Sequence, residues 1–155
     1  MSSNNSHTID VVIPVFNGKE SIEGVIFNLQ PFLHASLSPG GVEFIVKEII
    51  LVFDCGIDGS EDLLRELQQK HSCVRVVWLT RNFGQHAATL AGMASSTSDW
   101  IITIDEDGQH DPSDIPKMLD VALENNAQLV YARPTNKPPH GWLRNAASKI
   151  TKGTV

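Results

Sequence analysis

Apolar positions along this chain follow two rhythms, short β-branched runs and longer stretches with apolar residues every third or fourth place. Thr8–Val15, with Ile9, Val11, Val12, Ile13 and Val15, reads as a strand whose last residues leave the hydrogen-bond ladder at Pro14. From Lys19, the residues Ile22, Val25, Ile26 and Leu29 fall at i, i+3, i+4 and i+7, the stripe of an amphipathic helix that Pro31 limits. Ser36–Gly41 is a Ser/Pro/Gly loop. Within the mostly apolar Val42–Phe53, Glu48–Phe53 reads as a second, buried strand that stops at Asp54.

The alternation continues. Asp58 followed by Glu61 has the form of a capping box, opening a helix that carries Leu63, Leu64 and Leu67. Val74–Leu79 is the third strand, and after the turn Thr80–Gly84 comes a small-residue helix from Gln85 to about Ala94, built to pack closely on a sheet. Trp100–Ile104 is the fourth strand, ending at three consecutive acids, Asp105, Glu106 and Asp107. Ser113 as N-cap would put Pro116 at N3 of a helix that buries Met118, Leu119, Ala122 and Leu123. Gln128–Ala132 is expected as a fifth strand, Asn136–Gly141 as a proline-rich loop, and Trp142 onward as the start of another helix. Strands alternating with helices imply an α/β domain with a mostly parallel sheet covered on both faces.

Length and composition narrow this picture. A chain of 155 residues is expected to hold one domain, here 8–155 behind a polar, disordered tail 1–7. A net charge of −6 argues against nucleic acid, or an anionic membrane, as the main partner of this segment. Two cysteines, Cys55 and Cys73, without paired spacing and without a signal peptide point to a reducing, cytoplasmic compartment. No apolar run reaches the length of a membrane span. The chain stops inside a predicted helix, so it is expected to be truncated at its C-terminus.

The candidate chemistry sits where strands end, the edge at which open α/β sheets bind ligands. Side chains at i and i+2 of an extended segment project to the same side, so Asp105 and Asp107 converge. Two such carboxylates repel unless a cation lies between them, and with the amide oxygen of Gln109 they form an oxygen set for Mg²⁺ or Mn²⁺ that leaves room for a diphosphate. An acid after one strand also starts turns; the weight comes from three strand ends, Pro14–Asn17, Asp54 and Asp105–Asp107, being polar together. Asp54 suits the imide N–H of a base or a ribose hydroxyl. Arg81 and Asn82 suit phosphate or ribose, Arg133 and Arg144 flank the proline-rich loop, His110 reads as a turn residue, and Cys55 as a partly buried thiol without a neighbouring base. The G-x-G-x-x-G fingerprint and the Walker loop are absent, and an EF-hand fails at His110 and Pro116.

With these residues in place, five segments in order resemble glycosyltransferase family 2, of the GT-A fold, and within it the polyprenyl-phosphate glycosyltransferases. They are Val11–Asn17, Val52–Ser60, Arg81–His86 (R-N-F-G-Q-H), Asp105–Pro112 (D-E-D-G-Q-H-D-P) and Trp142–Lys149. The resemblance implies a Rossmann-like nucleotide-sugar-binding domain whose pocket takes Pro14, Val15, Phe16, Asn17, Asp54, Arg81, Asn82, Gly84 and Glu106. It implies Asp105 near the ribose and diphosphate, Asp107 and Gln109 as metal ligands, Asp105 and Asp107 as the catalytic pair, and Arg133 and Arg144 on the acceptor-phosphate side. The partners implied are a nucleotide-sugar donor, a polyprenyl-phosphate or glycan acceptor, and a membrane surface, on its cytoplasmic face, for the full-length protein. Gly18 stands where many members carry Glu, Phe53 replaces the first acid of a usual pair, and Gly56–Ile57 replaces Ser–Pro. Two alternatives stand beside this: a haloacid-dehalogenase-type phosphatase, from the D-x-D-G form of Asp105–Gly108, and a non-catalytic nucleotide-sugar-binding module.

Overall fold

A computed structural model describes residues 6–132. The strands are β1 (His7–Val15), β2 (Ser36–Leu37), β3 (Glu43–Phe53), β4 (Val74–Trp78) and β5 (Trp100–Thr103). The helices are α1 (Ile22–Leu29), α2 (Ser60–Lys70), α3 (Gln85–Ser95) and α4 (Ile115–Glu124). The parallel strands lie in the order β4–β3–β1–β5, and β2 adds an antiparallel pair at Glu43 and Phe44 of β3.

This order follows from where the apolar residues point. Ile9, Val11, Ile13 and Val15 of β1 and Ile49, Leu51 and Phe53 of β3 share one core with Ile22, Val25 and Ile26 of α1, Leu64 and Leu67 of α2, and Ile115 and Leu119 of α4. The alternate residues Val12, Ile50 and Val52 turn to the other face and meet Ala88 of α3. The chain steps outward from β1 to β3 to β4 with α1 and α2 on one face, then crosses back to β5 with α3 on the opposite face, as right-handed crossovers require. The reversal falls between β1 and β5, whose carboxyl ends therefore flank a crevice. Close packing of α3 rests on its small residues: a Cβ at Gly92 would lie 2.4 Å from Val12 Cγ1.

Several elements differ from the pattern reading. α1 starts at Ile22, because the N–H groups of Ser21 and Ile22 both turn back to the Gly18 carbonyl. Asp58 does not form a capping box with Glu61: its Oδ1 accepts from Ser60 N at 3.0 Å and its Oδ2 from Lys19 N at 2.9 Å, while Glu61 pairs with Arg65. Asp111, not Ser113, caps a 3-10 turn over Pro112–Asp114, and α4 follows with Asp114 as its N-cap and Pro116 in its first turn. Gln128–Ala132 forms no strand. Left-handed Asn126 closes α4 in a Schellman motif, with Ala127 N on Ala122 O. Gln128, Leu129 and Val130 then run along the apolar flank of β5 beside Trp100 and Ile102, without ladder pairing. β1 starts at His7, and Ser36–Leu37 pairs inside the expected loop. Among the described residues no helix is long and apolar enough to cross a membrane.

Candidate active site

A cleft of about 420 Å³ opens at the carboxyl ends of β1, β3 and β5, in the size range of small-molecule sites. Of the residues singled out from sequence, Pro14, Val15, Phe16, Asp54, Asn82, Gly84, Asp105, Glu106 and Asp107 line it. Gln85, which sequence reasoning did not single out, lines it as well.

The wall from β3 is held from inside. Asp54 is buried, and its Oδ1 and Oδ2 accept from Phe83 N at 2.7 Å and Gly84 N at 2.8 Å, so its carboxylate ties the turn before α3 to the end of β3. Asn82 Oδ1 also accepts from Gly84 N at 2.9 Å. Arg81 does not line the cleft; its guanidinium stacks over the Phe83 ring at 4.7 Å. The thiol of Cys55 is half-buried and donates to Leu79 O, and a Cβ on Gly56 would overlap Phe16 O, which shows how tightly the β3 loop presses on the end of β1.

The opposite wall is the acidic turn after β5. Gln85 Nε2 donates to Asp105 Oδ1 at 2.7 Å, and Asp105 N donates to His110 Nδ1 at 3.1 Å, so His110 closes the turn. Asp107 Oδ1 accepts from Gln109 N at 3.0 Å, while Gln109 lines a separate groove with Asn28 and His110 and is not among the residues that line the cleft. Glu106 turns across to β1, where Oε2 accepts from Phe16 N at 2.9 Å and Oε1 from Asn17 N at 3.1 Å. Burial is the main reason its carboxyl titrates above the usual range; the two N–H bonds oppose that, and the charges of Asp58 and Asp107 add to it. Asn17 contributes its backbone to this wall and does not line the cleft. Arg133 and Arg144 lie outside the described residues.

The donor set fits a hard divalent ion in part. Asp105 Oδ2 and Asp107 Oδ2 have no hydrogen-bond partner among the described residues, and both belong to carboxylates that line the cleft. Among the same residues, no group of three or more His, Cys, Asp or Glu side chains is placed to hold an ion. A cation here would therefore draw its remaining ligands from amide, phosphate or water oxygens.

The model of the family described as "Glycosyl transferase family 2" matches residues 10–153. The chain belongs to that family. The undecaprenyl-phosphate 4-deoxy-4-formamido-L-arabinose transferase of Serratia proteamaculans is 36% identical over 143 residues, covering 92% of this chain and 41% of the relative. The enzyme of the same name from Aeromonas hydrophila is 31% identical over 156 residues, covering 100% of this chain and 45% of the relative. This chain thus spans less than half the length of these relatives. Among solved structures, the mannosyltransferase PcManGT from Pyrobaculum calidifontis, in complex with GDP-Man and Mn²⁺, aligns with a TM-score of 0.60 at 17% identity, over 76% of this chain and 32% of that one. That likeness shows the fold, the mostly parallel GT-A arrangement expected from the sequence. Family 2 membership displaces the phosphatase alternative, whose signature belongs on a first strand, whereas Asp105–Gly108 follows β5.

Gln85 left a faint signal. It lies inside the Arg81–His86 segment and opens α3, but a glutamine there has no evident chemistry until Asp105 is placed beside it.

Proposed function

We propose that this family 2 chain is the donor-binding half of a metal-dependent, inverting glycosyltransferase that moves a sugar from a nucleotide-sugar to a polyprenyl phosphate. The observation that carries the reading is the meeting of Asp105, Glu106 and Asp107 with the ends of β1 and β3 in one cleft at the point where the strand order reverses. The names of the curated relatives support the lipid-phosphate acceptor, and the Mn²⁺ held in the mannosyltransferase complex supports a divalent ion.

On this reading Asp105 and Asp107 would hold Mg²⁺ or Mn²⁺, with Gln109 as the third candidate ligand. Such an ion, when bound, offsets the negative charge that develops on the departing diphosphate. The chain's own residues prepare that site: the Gln85 amide orients Asp105, the Gln109 N–H orients Asp107, and Asp54 holds the turn that carries Asn82 and Gly84 to the cleft. Pro14, Val15 and Phe16 would form the nucleotide side with Asp54, with Asn17 and Arg81 behind that wall, and Arg133 and Arg144 would take the acceptor phosphate. A phosphate acceptor is already anionic, so its oxygen attacks the anomeric carbon without a general base; a glycan hydroxyl would need one. The full-length protein works at the cytoplasmic face of a membrane on this reading, and the acidic balance of this chain disfavours nucleic acid as its partner.

Calorimetry with UDP-, GDP- and dTDP-sugars, with and without Mn²⁺, tests this. Binding that tightens with Mn²⁺ and loses that gain in Asp107→Ala is the expected result. Binding indifferent to the metal and unchanged in Asp107→Ala would sink the reading. Donor binding by the full-length protein without sugar transfer would favour a non-catalytic module.

A further inference from the structure

Glu106 lies between the two carboxylates assigned to the metal, yet its own carboxylate serves β1. Both of its oxygens take backbone N–H groups, Phe16 N at 2.9 Å and Asn17 N at 3.1 Å, across 90 and 89 residues of sequence. The next residue, Gly18, is hemmed in by the same group: a Cβ there would lie 2.6 Å from Glu106 Oε2 and 3.0 Å from Val15 Cγ1. Gly18 does not need a positive φ, so the backbone would accept a side chain and only the contact forbids one. Glu106 could make room only by swinging Oε2 away, and that would release the Phe16 N–H. The bareness of position 18 and the acid at position 106 are therefore one arrangement.

We infer that Gly18 and Glu106 act as a single unit that fixes the turn after β1 against the acidic turn after β5, making Glu106 a positioning residue for the nucleoside part of the donor. This rests on the donor-site reading above. The chemistry is that of an internal anion. Two adjacent N–H groups facing the cleft wall would otherwise need water or ligand oxygens, and a buried donor left unpaired is costly. By taking both, Glu106 sets the position of Phe16 beside the ligand and removes those donors from the set that the ligand meets. The same residue thereby links the nucleoside wall to Asp105 and Asp107.

The test uses the chain with Glu106→Ala, Glu106→Gln, Gly18→Ala and the double variant, and two kinds of reading. In calorimetry with Mn²⁺ present, Glu106→Ala and Gly18→Ala are each expected to weaken UDP or GDP binding roughly tenfold, with inorganic pyrophosphate affected no more than about twofold, and Glu106→Gln is expected to recover part of the loss. The double variant is expected to bind about as well as Glu106→Ala, because the 2.6 Å contact with Glu106 Oε2 is gone and only the milder 3.0 Å approach to Val15 Cγ1 remains. Equal loss for nucleoside diphosphate and pyrophosphate overturns the positioning role, and additive losses in the double variant overturn the unit. Amide ¹H–¹⁵N spectra decide the same question without ligand: the Phe16 and Asn17 signals should move in Glu106→Ala and in Gly18→Ala, and signals that stay put overturn the inference. A wild-type chain that binds neither nucleotide, while those amides do respond, sinks the donor reading and leaves the unit standing.

Discussion

Gln85 Nε2 lies 2.7 Å from Asp105 Oδ1, so the first residue of α3 holds the first carboxylate of the acidic turn after β5. One oxygen of Asp105 is thereby oriented by the amide, and the other has no hydrogen-bond partner among the described residues. Gln85 itself is exposed, so its removal should leave the fold intact. Gln85→Ala is expected to weaken Mn²⁺-dependent nucleotide binding by roughly tenfold, the scale of a hydrogen bond to a charged group, with the melting temperature within about 1 °C of wild type. Calorimetry and thermal unfolding on the same sample check both parts.

Asp54 is expected to behave in the opposite way, as a residue whose loss is felt first in stability. Its carboxylate accepts from two backbone N–H groups in a nearly fully buried position. Asp54→Ala strands the Phe83 N–H and leaves the Gly84 N–H with Asn82 Oδ1 alone, and it should destabilise the chain by about 1–3 kcal/mol, with Asp54→Asn recovering part of that, as measured by urea unfolding. Equal stability in all three proteins would contradict the assigned bonds.

Asp10 gives the pH dependence. It is fully buried at the start of the sheet, and it accepts from Ser96 Oγ at 2.7 Å, Ser98 Oγ at 2.7 Å and Thr97 N at 3.2 Å. Burial is the largest single influence and pushes its pKa up, but the hydrogen bonds from Ser96, Ser98 and Thr97 together outweigh it and hold the pKa below the usual carboxylate value. A group whose folded pKa is depressed adds stability above its unfolded pKa, roughly 4, and loses it as pH falls through the folded value. Asp10→Asn should therefore be less stable than wild type at pH 7, by about 1–3 kcal/mol, with the gap narrowing below about pH 4. Urea unfolding at a series of pH values reads the gap directly.

Gly92 tests the packing of α3. A Cβ there would meet Val12 Cγ1 at 2.4 Å and Val52 Cγ2 at 2.8 Å, both on strands with no room to yield. Gly92→Ala gains helix propensity of about 1 kcal/mol but forces α3 off the sheet, so a net loss of about 1–2 kcal/mol is expected. Thermal unfolding that shows a gain instead would mean that α3 can shift without cost. The companion Val12→Ala substitution should reduce the penalty of Gly92→Ala, since it removes the nearer atom.

Much of the fold was legible in the sequence because its signals are local. Apolar, β-branched runs located the four longer strands, and a three-to-four period, a capping pattern and a small-residue stretch located the helices; the abrupt stop of apolar runs at Pro14, Asp54 and Asp105 located the edge of the sheet where the cleft opens. The family motifs belong to the same level, and they led to the family that the chain belongs to. Where local signals were weak, the boundaries moved: Asp111 outcompeted Ser113 as a cap, and Gln128–Ala132, with no ladder partner on β5, did not become a strand.

What tertiary structure alone decided is which partner each polar side chain took. Asp54, Glu106 and Asp105 were all visible as acids at strand ends, with ligand chemistry the natural reading of each. In the folded chain Asp54 binds N–H groups 29 and 30 residues away, Glu106 binds N–H groups about 90 residues away, and Asp105 receives the amide of Gln85. A carboxylate's identity is local, but the donors that satisfy it are whichever ones the packed sheet brings within about 3 Å, and no periodicity encodes that. The sequence by itself determined the scaffold and the acidic edge; the fold decided that Asp54 holds a turn, that Glu106 holds the neighbouring strand end, and that Asp105 and Asp107 each keep one oxygen without a hydrogen-bond partner among the described residues.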